Sequence, residues 1–260
     1  MRSKVFPDGD TIFLQKIKNY LRMKLDILAF GAHPDDVELG CGGTIAKEIA
    51  LGKKIGIVDL TRGELGTRGT AEIRDKEANA AAQILGVSVR ENLHMRDGFF
   101  INDEEHQMKI IKMIRKYQPE IVLCNAIDDR HIDHGKGSRL VSDACFLSGL
   151  LKIETVLNGE NQSAWRPKLV YHYIQWKNLE PDFVVDITGY TDKKKDAIMA
   201  YSSQFYNPNT NEPATPIATK NFLDSIHYRA QDLGRLIGTD YAEGFTAERY
   251  VAVNSLGDLV

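Results

Sequence analysis

Two short motifs carry side chains able to hold a metal ion and move a proton: Ala32-His33-Pro34-Asp35-Asp36 and His131-Ile132-Asp133-His134. A catalytic zinc-type site needs about three protein ligands drawn from His, Asp, Glu or Cys, with one position open for water. The two motifs supply that set with a carboxylate to spare, which points to hydrolysis rather than a structural metal. His33 and Asp36, three apart on one turn, can point the same way, and His134 completes a set of two imidazoles and one carboxylate. Asp35 cannot easily share the ion with its neighbour, so it is free to take a proton from the attacking water. His131 is left to stabilise a developing oxyanion or protonate a leaving amine. Asp133 could hold His131 in one tautomer. These parts suit attack of water on an amide or ester. Either motif alone reads as a loop, since Asp and Pro favour turns; the chemistry rests on their occurring together.

Both motifs follow short apolar runs that read as buried strands, residues 25–30 and 121–124. Residues 55–60 and 92–95 predict two more strands, and residues 43–51, 71–85, 104–117 and 136–151 predict helices, with Gly86 as a helix stop and Pro119 as another. This alternation means βαβ units. The predicted fold is α/β and Rossmann-like, a doubly wound and mostly parallel sheet with helices on both faces. In a sheet of order 3-2-1-4-5, strands one and four flank the switch point where ligands bind at carboxyl ends. The two motifs would then face each other across one crevice.

The C-terminal portion is less regular. Strands are expected at 169–176, 183–187 and 249–253, and helices at 190–204 and 221–236. Residues 207–219 hold Pro208, Pro213 and Pro216 and read as a loop suited to an ordered lid. Gly40-Cys41-Gly42-Gly43-Thr44 fails the dinucleotide fingerprint at its third glycine. Gly42 and Gly43 are expected to let a helix start close to the motif loop.

Residues 23–260 read as a single domain. Residues 1–22 read as an upstream extension ahead of a start at Met23, the alternative being an amphipathic helix over 11–21. A net charge of −3 argues against nucleic acid as a partner. No stretch approaches the ~20 apolar residues of a membrane span, and no secretory pattern opens the chain. Cys41, Cys124 and Cys145 lack metal-finger spacing and read as reduced, near-core thiols of a cytoplasmic protein.

The stretch Gly31-Ala32-His33-Pro34-Asp35-Asp36-Val37-Glu38-Leu39-Gly40, with His131-x-Asp133-His134, resembles the PIG-L/LmbE-type N-acetylglucosaminyl deacetylases. The resemblance runs from Met23 to the C-terminus and takes in residues 61–69 and Tyr241-Ala242-Glu243-Gly244-Phe245. It is nearest to the bacillithiol biosynthesis deacetylases, which remove acetate from N-acetylglucosaminyl malate. It implies a small sugar-conjugate substrate, and zinc (or ferrous iron in the cell) on His33, Asp36 and His134. It also implies Asp35 as base, His131 as acid or oxyanion donor supported by Asp133, substrate contacts by Arg74 and Arg130, and a homo-oligomer. Two positions depart from relatives. Ile132 stands where many have Pro, and Asp129 where mycothiol-pathway members place a Tyr near the oxyanion.

Arg62 and Arg68 are further candidates to read an anionic substrate. His94, His106, His172 and His227 lack a partner at ligand spacing and read as surface or satisfied core. Two rival classes are a non-haem Fe(II) oxygenase built on His131-x-Asp133 and a non-catalytic sugar- or nucleotide-binding module. The first leaves the His33 motif unused. The second is disfavoured because every catalytic role is filled.

Overall fold

A computed structural model describes residues 23–259, so the expectation for residues 1–22 lies outside the described residues. Four βα units open the domain. They are β1 (Ile27–Gly31) with α1 (Asp36–Ala50), β2 (Ile55–Thr61) with α2 (Ala71–Leu85), β3 (Val89–Met95) with α3 (Glu104–Tyr117), and β4 (Ile121–Cys124) with α4 (Ile132–Leu147). A small antiparallel pair follows, β5 (Val156–Leu157) and β6 (Glu160–Asn161). Then come β7 (Leu169–Tyr173), β8 (Phe183–Asp186), α5 (Thr191–Met199), α6 (Lys220–Ile237) and β9 (Ala242–Ala247).

The main sheet has the order β3-β2-β1-β4-β7-β9-β8. The strands from β3 through β7 run parallel, and β9 pairs antiparallel with both β7 and β8. Every residue of β1 and β2 is buried, as expected of parallel strands covered on both faces. The alternation in β1 divides the core. Leu28 and Phe30 join the layer under α3 and α4, while Ile27 and Ala29 join the layer under α1, α2 and α5. This is the doubly wound arrangement the sequence predicts. β1 pairs directly with β4, Ala29 opposite Leu123, so the loops after both strands open at the same edge.

Helix ends follow local chemistry. Thr70 and Asp103 cap α2 and α3 by accepting from the N–H groups of Ile73 and His106, and Gly86 closes α2 in the left-handed region at φ 85°. The first helix begins earlier than its apolar pattern predicts, at Asp36, and bends at Cys41. The nearby glycines do not start it. A side chain at Gly40 would enter the Tyr173 ring, and a Cβ at Gly43 would lie 2.7 Å from Ile187 Cδ1, so both allow close packing of α1 on the sheet.

A buried ion network ties this helix down. Arg90 on β3 makes two bonds to Asp59, 2.7 and 2.8 Å, and a third to Glu38, which also accepts from Tyr201. Glu243 accepts from the N–H groups of Gly43 and Thr44 and from Lys194 Nζ (2.9, 2.7 and 2.6 Å), joining β9, α1 and α5.

The last strand corrects the expectation for 249–253. The strand is β9, and residues 249–253 lie beyond it without sheet pairing. Glu243 and Gly244 conceal β9 from strand propensity, and the Lys194 ion pair is what lets the acid sit inside a sheet. The helix expected at 190–204 is shorter, ending at Met199. Residues 216–218 form one 3₁₀ turn. Cys41, Cys124 and Cys145 are all buried free thiols. Among the described residues no helix is long and apolar enough to cross a membrane.

Candidate active site

The loop after β1 carries His33, Asp35 and Asp36, and the loop after β4 carries Asp129 to His134. All of these face a cavity of about 520 Å³ at the carboxyl edge of the sheet, except Asp129 and Asp133, which lie behind its lining. His33, Asp35, Asp36 and His134 are buried.

Each motif imidazole is gripped at one nitrogen. His134 Nδ1 lies 2.7 Å from Asp129, leaving Nε2 at 3.1 Å from Asp36 Oδ1. His33 Nε2 lies 3.0 Å from Asp97 and 3.4 Å from Asp133, leaving Nδ1 at 3.5 Å from Asp36 Oδ2. The carboxylate of Asp36 therefore sits between the two rings. It is fixed by Asn125 Nδ2 at 2.9 Å, Gln175 Nε2 at 2.6 Å and the His33 N–H at 2.9 Å. One donor nitrogen of each of His33, His131 and His134 lies within 4.8 Å of the others, and His33, Asp97 and Asp133 form a second such group. The sequence-expected set of His33, Asp36 and His134 thus comes together, with a third imidazole beside it.

This donor set fits a divalent cation. Four buried carboxylates, Asp36, Asp97, Asp129 and Asp133, surround two ligand-type imidazoles. Burial would lower the two histidines, but the carboxylates overcome it, holding His33 well above its ordinary value and His134 up at about 9. That surplus of negative charge is what a metal ion neutralises, and an outer carboxylate on each ligating His is the usual supporting pattern.

Asp35 differs from the other acids. Burial, opposed by Arg74 and assisted by Asp36, pushes its carboxyl up to about 7. As the N-cap of α1 it would ordinarily accept from a helix N–H, but it makes no capping bond. Its backbone instead adopts φ 108°, a costly conformation for a non-glycine residue. The carboxylate meets Arg74, 3.0 Å away.

His131 caps α4, its Nδ1 accepting from the N–H of Asp133 at 3.3 Å. Burial and the neighbouring His33 and His134 lower its pKa. A neutral ring that accepts at Nδ1 carries its proton on Nε2, the donor an oxyanion needs. The expected tautomer support from Asp133 is therefore corrected: its backbone, not its carboxylate, engages His131. That carboxylate accepts from Gly98 N–H (2.7 Å) and Lys136 (3.2 Å) and reaches His33, because the first turn of α4 points it inward.

The arginines separate. Arg74 lines the cavity but is buried, bonded to Asp35, to the carbonyl of Pro34 and to Gln204 Oε1 at 3.0 Å, so its first partner is the candidate base. Arg130 is exposed at the rim, with its guanidinium 4.6 Å from the Trp176 ring centroid. Arg68 is corrected as an anion reader. It is buried and donates to the carbonyls of Pro213 and Glu212, just before Thr215, Pro216 and Ile217, which line the cavity. Arg62 is likewise taken by Asp75 (2.6 Å) and Glu72 (3.1 Å). Among the other histidines, His172 is satisfied core, bonded to Ser138 and Glu248.

Asp97, Asn125, Gln175 and the anchoring task of Asp129 escape sequence reasoning. A signal was present. Asp97, Asn125 and Gln175 each lie one or two residues past the end of a parallel strand, where a doubly wound sheet presents its ligands.

Residues 28–145 match the family model PIG-L: GlcNAc-PI de-N-acetylase. The chain is 30% identical over 193 residues to the diacetylchitobiose deacetylase of Thermococcus kodakarensis, covering 69% of this chain and 70% of that protein. It is 29% identical over 193 residues to a 4-oxalmesaconate hydratase of Pseudomonas putida, covering 68% and 73%. The conserved protein TT1542 from Thermus thermophilus superposes with a TM-score of 0.78 at 36% identity, covering 89% of this chain and 98% of that one. The N,N'-diacetylchitobiose deacetylase of Pyrococcus horikoshii shares the fold, with a TM-score of 0.73 at 24% identity over 99% and 100% of the two chains. The motifs, the doubly wound sheet that brings them together and these matches make the chain a member of the PIG-L family of de-N-acetylases.

Proposed function

We propose that the protein is a metal-dependent hydrolase that removes the acetyl group from an N-acetylglucosamine conjugate, with N-acetylglucosaminyl malate of bacillithiol biosynthesis as the substrate. The observation that carries this reading is geometric: the Asp36 carboxylate lies between His33 and His134, and beside it stands Asp35, a buried carboxyl that makes no capping bond and is free to act as a base. A base works best when its pKa lies near the operating pH.

His33, Asp36 and His134 would hold the ion. Two imidazoles and a carboxylate suit zinc, and ferrous iron accepts the same set. When bound, such an ion polarises a carbonyl and makes water more acidic. Asp35 takes a proton as the water oxygen attacks the acetyl carbon. His131 Nε2–H donates to the carbonyl oxygen as it gains charge. When the C–N bond breaks, the proton held by Asp35 passes to the leaving nitrogen, giving acetate and a free amine. Arg130, at the rim with no hydrogen bond from its guanidinium among the described residues, would meet the malate, and Arg74, beside Asp35, would be a second substrate contact nearer the acetyl group.

The similarity to a hydratase makes the reaction itself a point to test. A free-amine assay on N-acetylglucosaminyl malate beside plain N-acetylglucosamine, with metal content measured on the same sample, decides it. Stoichiometric metal and amine release from the conjugate support the reading. Stoichiometric metal with no amine from either compound rejects deacetylation of this class, and absence of metal rejects the metal-dependent mechanism.

A further inference from the structure

Away from the imidazole cluster the cavity runs toward α6, and a smaller cavity of about 210 Å³ shares its wall there. Trp176, Phe222 and Arg229 line both. Trp176 and Phe222 stack with centroids 5.1 Å apart and planes at 18°, giving the shared wall an aromatic surface.

Arg229 is the unusual residue of this wall. It is partly buried, and burial lowers its pKa. Among the described residues its guanidinium makes one hydrogen bond, from a terminal nitrogen to the carbonyl of Trp176, 2.7 Å away. A guanidinium has five N–H donors, so most of the fork is unfilled. Among the described residues no carboxylate lies within ion-pair distance of it. Asp129 is the acid whose field reaches it, but the oxygens of Asp129 are occupied by His134 and by the N–H groups of Arg130, Trp176 and Lys177. A partly desolvated cation without a counter-charge is unfavourable. It becomes favourable when a ligand brings the anion, and the planar fork of Arg matches a carboxylate.

We propose that Arg229 is a specificity-determining residue that binds a carboxylate carried on the substrate's leaving-side substituent, seated at the junction of the two cavities. This rests on the deacetylase reading above and extends it. Arg130 meets the substituent at the rim, whereas Arg229 meets it deeper, beside Trp176. The two arginines would let a substituent with two carboxylates be held at both ends.

The test compares the metal-loaded full chain on N-acetylglucosaminyl malate and on benzyl N-acetylglucosaminide, which has no carboxylate. Removing a charge-assisted hydrogen bond should cost about ten- to a hundredfold. Arg229→Met should therefore lower the ratio of kcat/KM between the anionic and neutral substrates at least tenfold, mainly through KM, and Arg229→Lys should recover part of it. An unchanged ratio overturns the proposal: equal losses on both substrates mean that Arg229 only holds the Trp176 carbonyl, and no loss means that the anion goes elsewhere. If the wild type deacetylates neither substrate, the deacetylase reading fails on its own account. Calorimetry with L-malate then still decides for Arg229. Binding at least tenfold weaker in Arg229→Met supports the carboxylate site, and equal binding or none overturns it.

Discussion

The guanidinium of Arg74 lies 3.0 Å from the carboxylate of Asp35, with both side chains buried. Two opposing influences meet there. Burial disfavours the charged carboxylate, and the arginine favours it, leaving the group at about 7. A water-exposed Asp would be too weak a base, and a buried Asp without its arginine would stay protonated at neutral pH.

Asp35→Asn should keep the metal and lose about 10²- to 10⁴-fold in turnover, the usual contribution of a general base. The amide fits the same space but accepts no proton. Steady-state kinetics with metal analysis on the same preparation checks this, and activity within a few-fold of wild type would remove Asp35 from the mechanism.

The acid side of the pH profile reports the same carboxyl. As the proposed base Asp35 would work deprotonated, so activity should rise with pH through its pKa. Arg74 holds that pKa down, so Arg74→Met should move the rising limb to higher pH. A KM increase with the limb in place would instead make Arg74 a substrate contact alone.

His33→Ala, Asp36→Ala and His134→Ala should each lose metal on dialysis, while His131→Ala should stay loaded but slow. Loss of metal from His131→Ala would place the third imidazole among the ligands. Asp97→Asn and Asp129→Asn remove the outer grip on His33 and His134. They should weaken metal affinity by about 10–100-fold, read by competition with a chelator. Unchanged affinity would show that the rings need no such support.

Arg90→Met should be a folding variant. It leaves Glu38 and Asp59 buried without their cation, and breaking a buried pair this way costs about 3–5 kcal/mol. Urea denaturation measures it; a loss well under 1 kcal/mol would mean that water enters and solvates the acids.

Arg130→Met should narrow the preference for N-acetylglucosaminyl malate over plain N-acetylglucosamine, with metal content unchanged. One charge-assisted hydrogen bond corresponds to about 1.5–3 kcal/mol. Equal losses on both substrates would mean that Arg130, through its contact with Trp176, holds the loop and not the malate.

By itself the sequence determined the sheet-and-helix alternation, the pairing of β1 with β4 and the residues that converge at their ends. The alternation and the motif positions are local, and the neighbouring of β1 and β4, far apart in sequence, follows from the doubly wound strand order that the alternation implies. Apolar runs mark buried strands, Gly86 and Pro119 end helices by backbone geometry, and a motif just past a parallel strand must face the crevice.

Tertiary structure decided the partners. Whether the Asp133 carboxylate meets His131 or His33 depends on how the first turn of α4 is rotated, which no spacing encodes. Asp97 reaches His33 from 64 residues away and Gln175 reaches Asp36 from 139. Both contacts exist only once β3 and β7 take their places in the sheet. β9 was hidden for the same reason, since an acid and a glycine make a strand there only because Lys194 and the N–H groups of α1 meet Glu243. Propensity acts along the chain, whereas a buried charge is stabilised by whatever the fold brings against it.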